Sequence, residues 1–365
     1  MNSLYDYSLN ELTEQFKSEG FQAFNAKQVF NWLYKHYGTP LNEWTNVSKK
    51  MKAYIQENFQ DYLPTIVWHG LSKDGTRKFL VKMHDSQTVE CVVIPAKNKR
   101  LTLCVSSQIG CAIGCRFCHT GTMGLKRHLK TSEIVGQLLV VGDWLRENVN
   151  DDEKITNMVY MGQGEPLHNF DNIKRATEIF LDPQGLGYGQ RRITLSTSGL
   201  VPQIEKMLDF PPINIAISLH AAHNDIRSEL MPINKAYDLQ RLFGAIKKLP
   251  LKAHRRITYE YLLIKGLNDR QIDIDALCEL INRDESKINL IPFNEYPESS
   301  FKRPSQQTIK WFNDSLNERG FISTVRVTMG TDILAACGQL KSEYEKVNLW
   351  NKMSRNFELI QNQGR

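Results

Sequence analysis

Apolar residues in the first 60 positions recur at helical spacing, as Leu9, Leu12 and Phe16 and then Val29, Phe30, Leu33 and Tyr34. They predict a small helical module over residues 1–60. The pattern then shortens to strand-like runs at 78–83 and 88–94, with Lys73-Asp74-Gly75 and His84-Asp85-Ser86 as turns, and predicts a short antiparallel β extension over 61–100. From 101 onward, strand-like runs at 101–106, 156–161, 191–196, 213–219, 257–264, 287–291 and 322–328 alternate with helix-period stretches. The helical faces are Ile134, Leu138, Val141 and Leu145, then Ile173, Ala176, Thr177 and Phe180, then Leu239, Leu242, Ile246 and Leu249. Repeated βα units predict an α/β core over 101–340, a parallel sheet with helices outside and its chemistry at the carboxyl ends of the strands. The tail, 341–365, is of mixed polarity and carries no motif.

Composition narrows the class. With 365 residues, 41% hydrophobic and 24% charged, the chain can bury one large core and carry an appendage. It has no apolar run of about 18 residues and no basic-then-apolar leader, so it is expected to be cytoplasmic and not in a membrane. Seven cysteines, an odd number at scattered spacings, fit a reducing compartment better than a disulfide framework. The net charge of +6 permits nucleic-acid binding without requiring it.

Three of those cysteines lie within eight residues, in Cys111-Ala-Ile-Gly-Cys115-Arg-Phe-Cys118, directly after the first core strand. Thiolates are soft ligands suited to iron–sulfur clusters and zinc. A structural zinc site wants four ligands, and no second Cys or His pair stands at a familiar spacing. Buried packing cysteines are the other alternative, but a polar loop punctuated by Gly110 and Gly114 is a poor place for them. Three ligands on a 4Fe–4S cluster leave one iron open for a small molecule. Gly162-Gln-Gly-Glu-Pro166 follows another strand, where Gly164 and Glu165 could receive an ammonium group. Ser196, Ser218 and His220 end two more strands, where hydroxyls and backbone suit a ribose and a carboxylate.

The Cys-x3-Cys-x2-Cys spacing resembles the radical S-adenosylmethionine superfamily. Together with Gly124-Leu-Lys-Arg-His-Leu129, Met161-Gly-Gln-Gly-Glu-Pro166, Thr194-Leu-Ser-Thr-Ser-Gly199, Ile217-Ser-Leu-His220, Met231-Pro-Ile-Asn234 and Ala335-Ala-Cys-Gly-Gln-Leu340, it resembles the RlmN/Cfr group of RNA adenosine methyltransferases. The likeness runs from the N-terminal segment to about Leu340. Gln163 departs from it, since the group usually has methionine there.

The resemblance implies a partial, six-unit (β/α) radical S-adenosylmethionine barrel with an N-terminal RNA-binding accessory domain. It implies a 4Fe–4S cluster on Cys111, Cys115 and Cys118, and two S-adenosylmethionine molecules per turnover. Contacts to that cofactor fall on Gly164, Glu165, Ser196, Ser218, Leu219, His220 and Asn294. Cys337 would carry a methyl group as the intermediate, on a loop that Gly338 would make mobile. Glu90 or Cys104 would remove the ring proton, and Cys104 would resolve the adduct through a transient Cys104–Cys337 disulfide. The implied activity is methylation of adenosine carbon 2 in 23S ribosomal RNA, with transfer RNA as a second candidate substrate. Flavodoxin or ferredoxin would serve as electron donor, and the protein is expected to be a monomer. Carbon 8 methylation is the nearest rival, and a non-catalytic RNA-binding protein with a structural metal is a rival of another class. Lys97, Lys99, Arg100, Lys126, Arg127, Arg191, Arg192, Arg255 and Arg256 are candidate phosphate contacts, as are Lys17, Lys27, Lys35, Lys49, Lys50 and Lys52 in the helical module. Cys91 and Cys278 are read as packing residues.

Overall fold

The computed structural model describes residues 2–60, 62–96, 100–150, 153–249, 255–296 and 299–340. Lys97, Lys99 and the tail at 341–365 lie outside the described residues.

The N-terminal module consists of strand β1 (Asn2–Ser3), helices α1 (Leu9–Ser18), α2 (Ala23–Lys35) and α3 (Lys49–Asn58), and strand β2 (Phe59–Gln60), which pairs in parallel with β1. A capping box starts α1: the Ser8 hydroxyl accepts from the Glu11 N–H, and the Glu11 carboxylate accepts from the Ser8 N–H. The predicted apolar face is buried, with Leu12, Phe16, Val29 and Phe30 fully enclosed. The module is not a loose appendage. Its core is continuous with that of the main body, Asp6 accepts a hydrogen bond from the Ser132 N–H at 2.9 Å, and Arg175 donates to Glu11 at 2.7 Å.

Four strands then form an antiparallel meander: β3 (Thr65–Leu71), β4 (Arg77–Lys82), β5 (Thr88–Ala96) and β6 (Arg100–Cys104). A small hairpin, β7 (Gln108–Gly110) with β8 (Leu125–His128), frames the cysteine loop. The helices α4 (Thr131–Asn148), α5 (Phe170–Leu181), α6 (Val201–Glu205), α7 (Asn224–Leu230), α8 (Leu239–Ile246), α9 (Gln271–Leu280) and α10 (Gln306–Glu318) alternate with β9 (Ile155–Tyr160), β10 (Ile193–Thr197), β11 (Asn214–Ser218), β12 (Ile257–Leu263), β13 (Ser286–Pro292) and β14 (Ser323–Val325). All but the small strands join one ten-stranded sheet, ordered β14-β13-β12-β11-β10-β9-β6-β5-β4-β3. Strand β6 is the junction, antiparallel to β5 on one edge and parallel to β9 on the other.

The seven parallel strands β6 and β9–β14 make the partial barrel that the sequence predicts, with a strand beyond the expected six. Strand β12 is buried at nearly every position, as both-faced burial under helices requires, whereas edge strand β3 is largely exposed. The expected strand at 191 begins at Ile193, because residues 190–192 form a turn of 3-10 helix. Arg191, Arg192, Arg255 and Arg256 therefore precede β10 and β12, at the end of the barrel opposite the cysteine loop that follows β6.

Candidate active site

The loop from Cys111 to Cys118 is closed by its own backbone. The Cys111 N–H donates to the Gly124 carbonyl at 3.0 Å, Cys118 to Cys115 at 3.1 Å, and Gly121 to Cys118 at 2.9 Å. Gly110 has φ +75°, and a Cβ there would lie 1.8 Å from the Gly124 oxygen, so no larger residue permits this closure. All three cysteines line one cavity. Burial pushes the Cys111 thiol up to about 12, the Cys115 thiol well upward and the Cys118 thiol upward, and for Cys115 the neighbouring thiolates add to the effect. Three such thiols cannot ionise together without a cation, so the donor set fits a positively charged metal centre. His119 faces elsewhere: its ring stacks on Tyr296 at 4.9 Å.

Strand tips form the rest of this cavity, and Gly164, Glu165, Ser196, Ser218 and His220 all line it. The Glu165 carboxylate joins two tips, accepting from the Leu167 N–H (3.0 Å), the Thr197 hydroxyl (2.7 Å) and the Ser198 N–H (2.7 Å). Burial raises its pKa, opposed by those bonds. His220 has φ +60°, and its Nδ1 accepts from the Leu262 N–H at 3.1 Å. Burial takes its pKa down to about 3, so it faces the cavity as a neutral ring. Leu219 stands apart from the other predicted contacts. Its N–H donates to the Glu260 carbonyl, its carbonyl accepts from Arg227, and its side chain is in the core.

Cys337 lines this cavity and also a second one, which it shares with Cys104, Asn294, Arg326 and Thr328. Asn294 donates to the Cys337 carbonyl at 3.2 Å. The loop expected to be mobile is hydrogen-bonded to the cluster loop, with the His119 N–H on the Gly338 carbonyl (2.7 Å) and the Thr120 hydroxyl on the Leu340 carbonyl (2.6 Å). Burial, and then the Cys337 charge, push the Cys104 thiol up to about 12. Glu90 is buried in β5 and ion-paired with Lys78 at 3.2 Å, and is not among the residues lining either cavity. Cys91 is fully buried and Cys278 half-buried.

Three residues escaped the sequence reading, and a fourth, Gln163, entered it only as a departure from the group. Gln163 lies next to the second cavity's Gly162, and its side-chain oxygen accepts the Glu90 N–H at 2.9 Å, a bond that the usual methionine sulfur would make poorly. Glu260 accepts from Ser196 at 2.6 Å; a lone carboxylate within Ile257-Thr-Tyr-Glu-Tyr-Leu-Leu263 was the available signal. Arg227 is completely buried and donates to Leu219, Asn234 and Ser198, tying the β10 and β11 tips together. Burial brings its pKa down to about 10. Arg326 lies beside Cys337, whose negative charge raises the arginine's pKa. Neither arginine stands out from a solvated charge by local pattern.

Open parallel strands, three cysteines in one loop and a polar cavity at the strand tips define a radical S-adenosylmethionine enzyme. The family model of the radical SAM superfamily matches residues 105–278, and that of the ribosomal RNA large subunit methyltransferase N-terminal domain matches residues 2–60. The chain is 45% identical to a dual-specificity RNA methyltransferase RlmN of Rhodopseudomonas palustris, covering 89% of this chain and 84% of that one. It is 41% identical to an RlmN of Aliarcobacter butzleri, over 93% and 96%. A crystal structure of a radical SAM methyltransferase from Sphaerobacter thermophilus superposes with a TM-score of 0.85 at 38% identity, covering 94% of this chain and all of that one. The chain belongs to the RlmN family of dual-specificity RNA methyltransferases.

Proposed function

We propose that this protein methylates carbon 2 of an adenosine in 23S ribosomal RNA, and an adenosine of transfer RNA as its second substrate. The relatives' shared description as dual-specificity RNA methyltransferases supports an RNA substrate of more than one kind. The observation that carries the mechanism is the place of Cys337, where the cavity of the three cluster cysteines meets the cavity of Cys104. Carbon 2 of adenine is electron-poor and offers no lone pair to a methyl sulfonium, so a radical route is needed. Cys111, Cys115 and Cys118 would hold the cluster, which when bound would supply the electron for reductive cleavage of S-adenosylmethionine.

The chain's own residues do the remainder. Cys337, methylated by a first S-adenosylmethionine, presents a thioether methyl whose hydrogen is removed, and the resulting carbon radical adds to the base. Of the two candidates for the ring proton, Glu90 is the better supported. The Cys104 thiol, pushed up to about 12, already holds its proton at neutral pH. Glu90, in contrast, is a carboxylate ion-paired with Lys78 and lies two residues along β5 from Val92, the residue paired with Cys104. Once the adduct has lost its ring proton and its odd electron, which the bound cluster would take back, Cys104 attacks the Cys337 sulfur across the shared cavity: the S–S bond forms as the C–S bond breaks, the Cys104 proton passes to the released methylene carbon to make the methyl group, and an external thiol reduces the disulfide. The base must be unstacked to reach this pocket. A reducing cytoplasm, a monomer and a flavodoxin or ferredoxin donor complete the proposal.

The test is mass spectrometry of digested ribosomal and transfer RNA after anaerobic incubation of the reconstituted protein with S-adenosylmethionine and reductant. Wild type is expected to yield 2-methyladenosine and Cys337→Ala none. Co-elution with 8-methyladenosine would reassign the position, and no methylated adenosine from either protein would overturn the substrate.

A further inference from the structure

The Lys78 side chain is buried within the sheet, 8% exposed as a residue, where an unpartnered ammonium would be very costly. It has two oxygen partners on different parts of the chain. Its Nζ is 3.2 Å from Glu90 Oε1 and donates to the Leu334 carbonyl at 3.3 Å. Leu334 is three residues before Cys337 and has φ +51°, a left-handed conformation that a leucine rarely adopts. The register puts all of this on one face. Lys78 pairs across from Val92, and Val92 from Cys104, while Glu90 lies two residues from Val92. Ala335 and Leu340 pack onto Val92 and Cys104 from above.

We propose that Lys78 is a positioning residue: one ammonium holds the Glu90 carboxylate and the Leu334 carbonyl together, keeping the proton acceptor and the Cys337 loop in a single register. This rests on the reading of Glu90 as proton acceptor. Neither partner alone accounts for Lys78. A purely structural ion pair would not extend to a strained carbonyl on the methyl-carrying loop, and a loop anchor alone would not need a buried carboxylate. Glu90 acts only after Cys337 has been methylated, so loss of Lys78 should fall more heavily on the second half of the reaction than on the first.

The experiment compares wild type, Lys78→Met, Lys78→Arg, Glu90→Gln and the Lys78→Met/Glu90→Gln double variant, all full-length and cluster-reconstituted. Cys337 methylation is read by peptide mass, the protein–RNA adduct by denaturing electrophoresis, and methyladenosine by mass spectrometry. Lys78→Met is expected to keep Cys337 methylation, accumulate adduct and lose product about 10-fold or more, with Lys78→Arg recovering much of the loss. In the double variant the two losses should combine to less than their product, because part of the Lys78 effect runs through that carboxylate and the rest through the Leu334 tie. Full product from Lys78→Met, or a loss that multiplies fully onto that of Glu90→Gln, overturns the proposal. Should Lys78→Met fail to hold its cluster, Lys78→Gln decides by the same comparison. Amide exchange over 333–337 without RNA reads the loop tie separately. It should quicken about 5-fold or more in Lys78→Met, and unchanged exchange overturns the tie even if wild type makes no methyladenosine, a result that would sink the RNA methylation reading instead.

Discussion

Cys111, Cys115 and Cys118 share one short loop, whereas Cys104 and Cys337 come from the first core strand and from the far end of the described chain. The two sets are held differently. The cluster loop is closed by local backbone bonds and by Gly110, where no larger residue fits. The pair is brought together by long-range contacts, in which Cys104 ends β6 and Cys337 is laid over it by bonds to Asn294, His119 and Thr120 and by the Lys78 tie. Their electrostatics differ as well. The loop thiols are raised by burial and by one another, a condition that a metal relieves. The pair instead has a fixed cation, Arg326, whose largest electrostatic partner is Cys337. One set is arranged to hold a charge from outside, and the other, in the proposed mechanism, to move a proton and a methyl group.

The largest effect should come from separating the two sets by ligand removal. Cys118→Ser is expected to bring bound iron and acid-labile sulfide below about a tenth of wild type, with all RNA methylation lost. Cys337→Ala should be equally inactive yet keep its iron. If both variants lost iron to the same degree, Cys337 would belong to the metal site, and the distinction drawn here would fail.

A smaller effect should follow from Arg326→Gln. Against the burial that raises it, Arg326 lowers the Cys104 pKa; at an effective dielectric near 20 such a cation contributes about 2 kcal/mol, so removing it should slow alkylation of Cys104 about 30-fold at neutral pH. Iron content should not change, and Arg326→Lys should restore part of the rate. Equal alkylation rates across the three proteins would mean that Arg326 serves packing alone.

What could be read in the sequence follows the same division. Local features were legible: the apolar period found the parallel strands to within a few residues, and the Cys-x3-Cys-x2-Cys spacing pointed to a cluster. What depended on distant pairing was not. The β7–β8 hairpin went unseen because its residues sit in a polar, glycine-rich stretch with no alternation, and α9 and α10 because no helical face was picked out in 271–280 or 306–318. Arg227 and Arg326 look like surface charges until the tertiary structure supplies their partners, carbonyls in one case and a thiol in the other. Lys78 was seen only as the start of a strand, since its partners are Glu90 on the next strand and Leu334, far along the chain.

The smallest effect tests how the second set is held at its outer edge. There the turn before β4 and the loop before Cys337 grip each other: Asp74 accepts from the Gly330 N–H at 2.7 Å, and Asp332 accepts from the Ser72 hydroxyl at 2.5 Å and the Lys73 N–H at 3.1 Å. Partial burial tends to raise the Asp74 carboxyl, but hydrogen bonds from Gly330 and Thr76 outweigh it and hold the pKa below the ordinary value. A carboxyl depressed in the folded state contributes stability above its unfolded pKa, about 3.9, and loses it as pH falls through the folded value. The clip should therefore be intact at neutral pH and release only in acid, below about pH 4. Asp74 is exposed, so Asp74→Ala should cost less than about 1 kcal/mol in denaturant unfolding, while amide exchange at Gly330 quickens several-fold. The exchange ratio between variant and wild type should fall towards one as pH drops below 4. A ratio of one already at neutral pH would mean that the Cys337 loop is held by its packing on Val92 and Cys104 alone, and that the two cysteine sets differ less in their anchoring than the hydrogen bonds suggest.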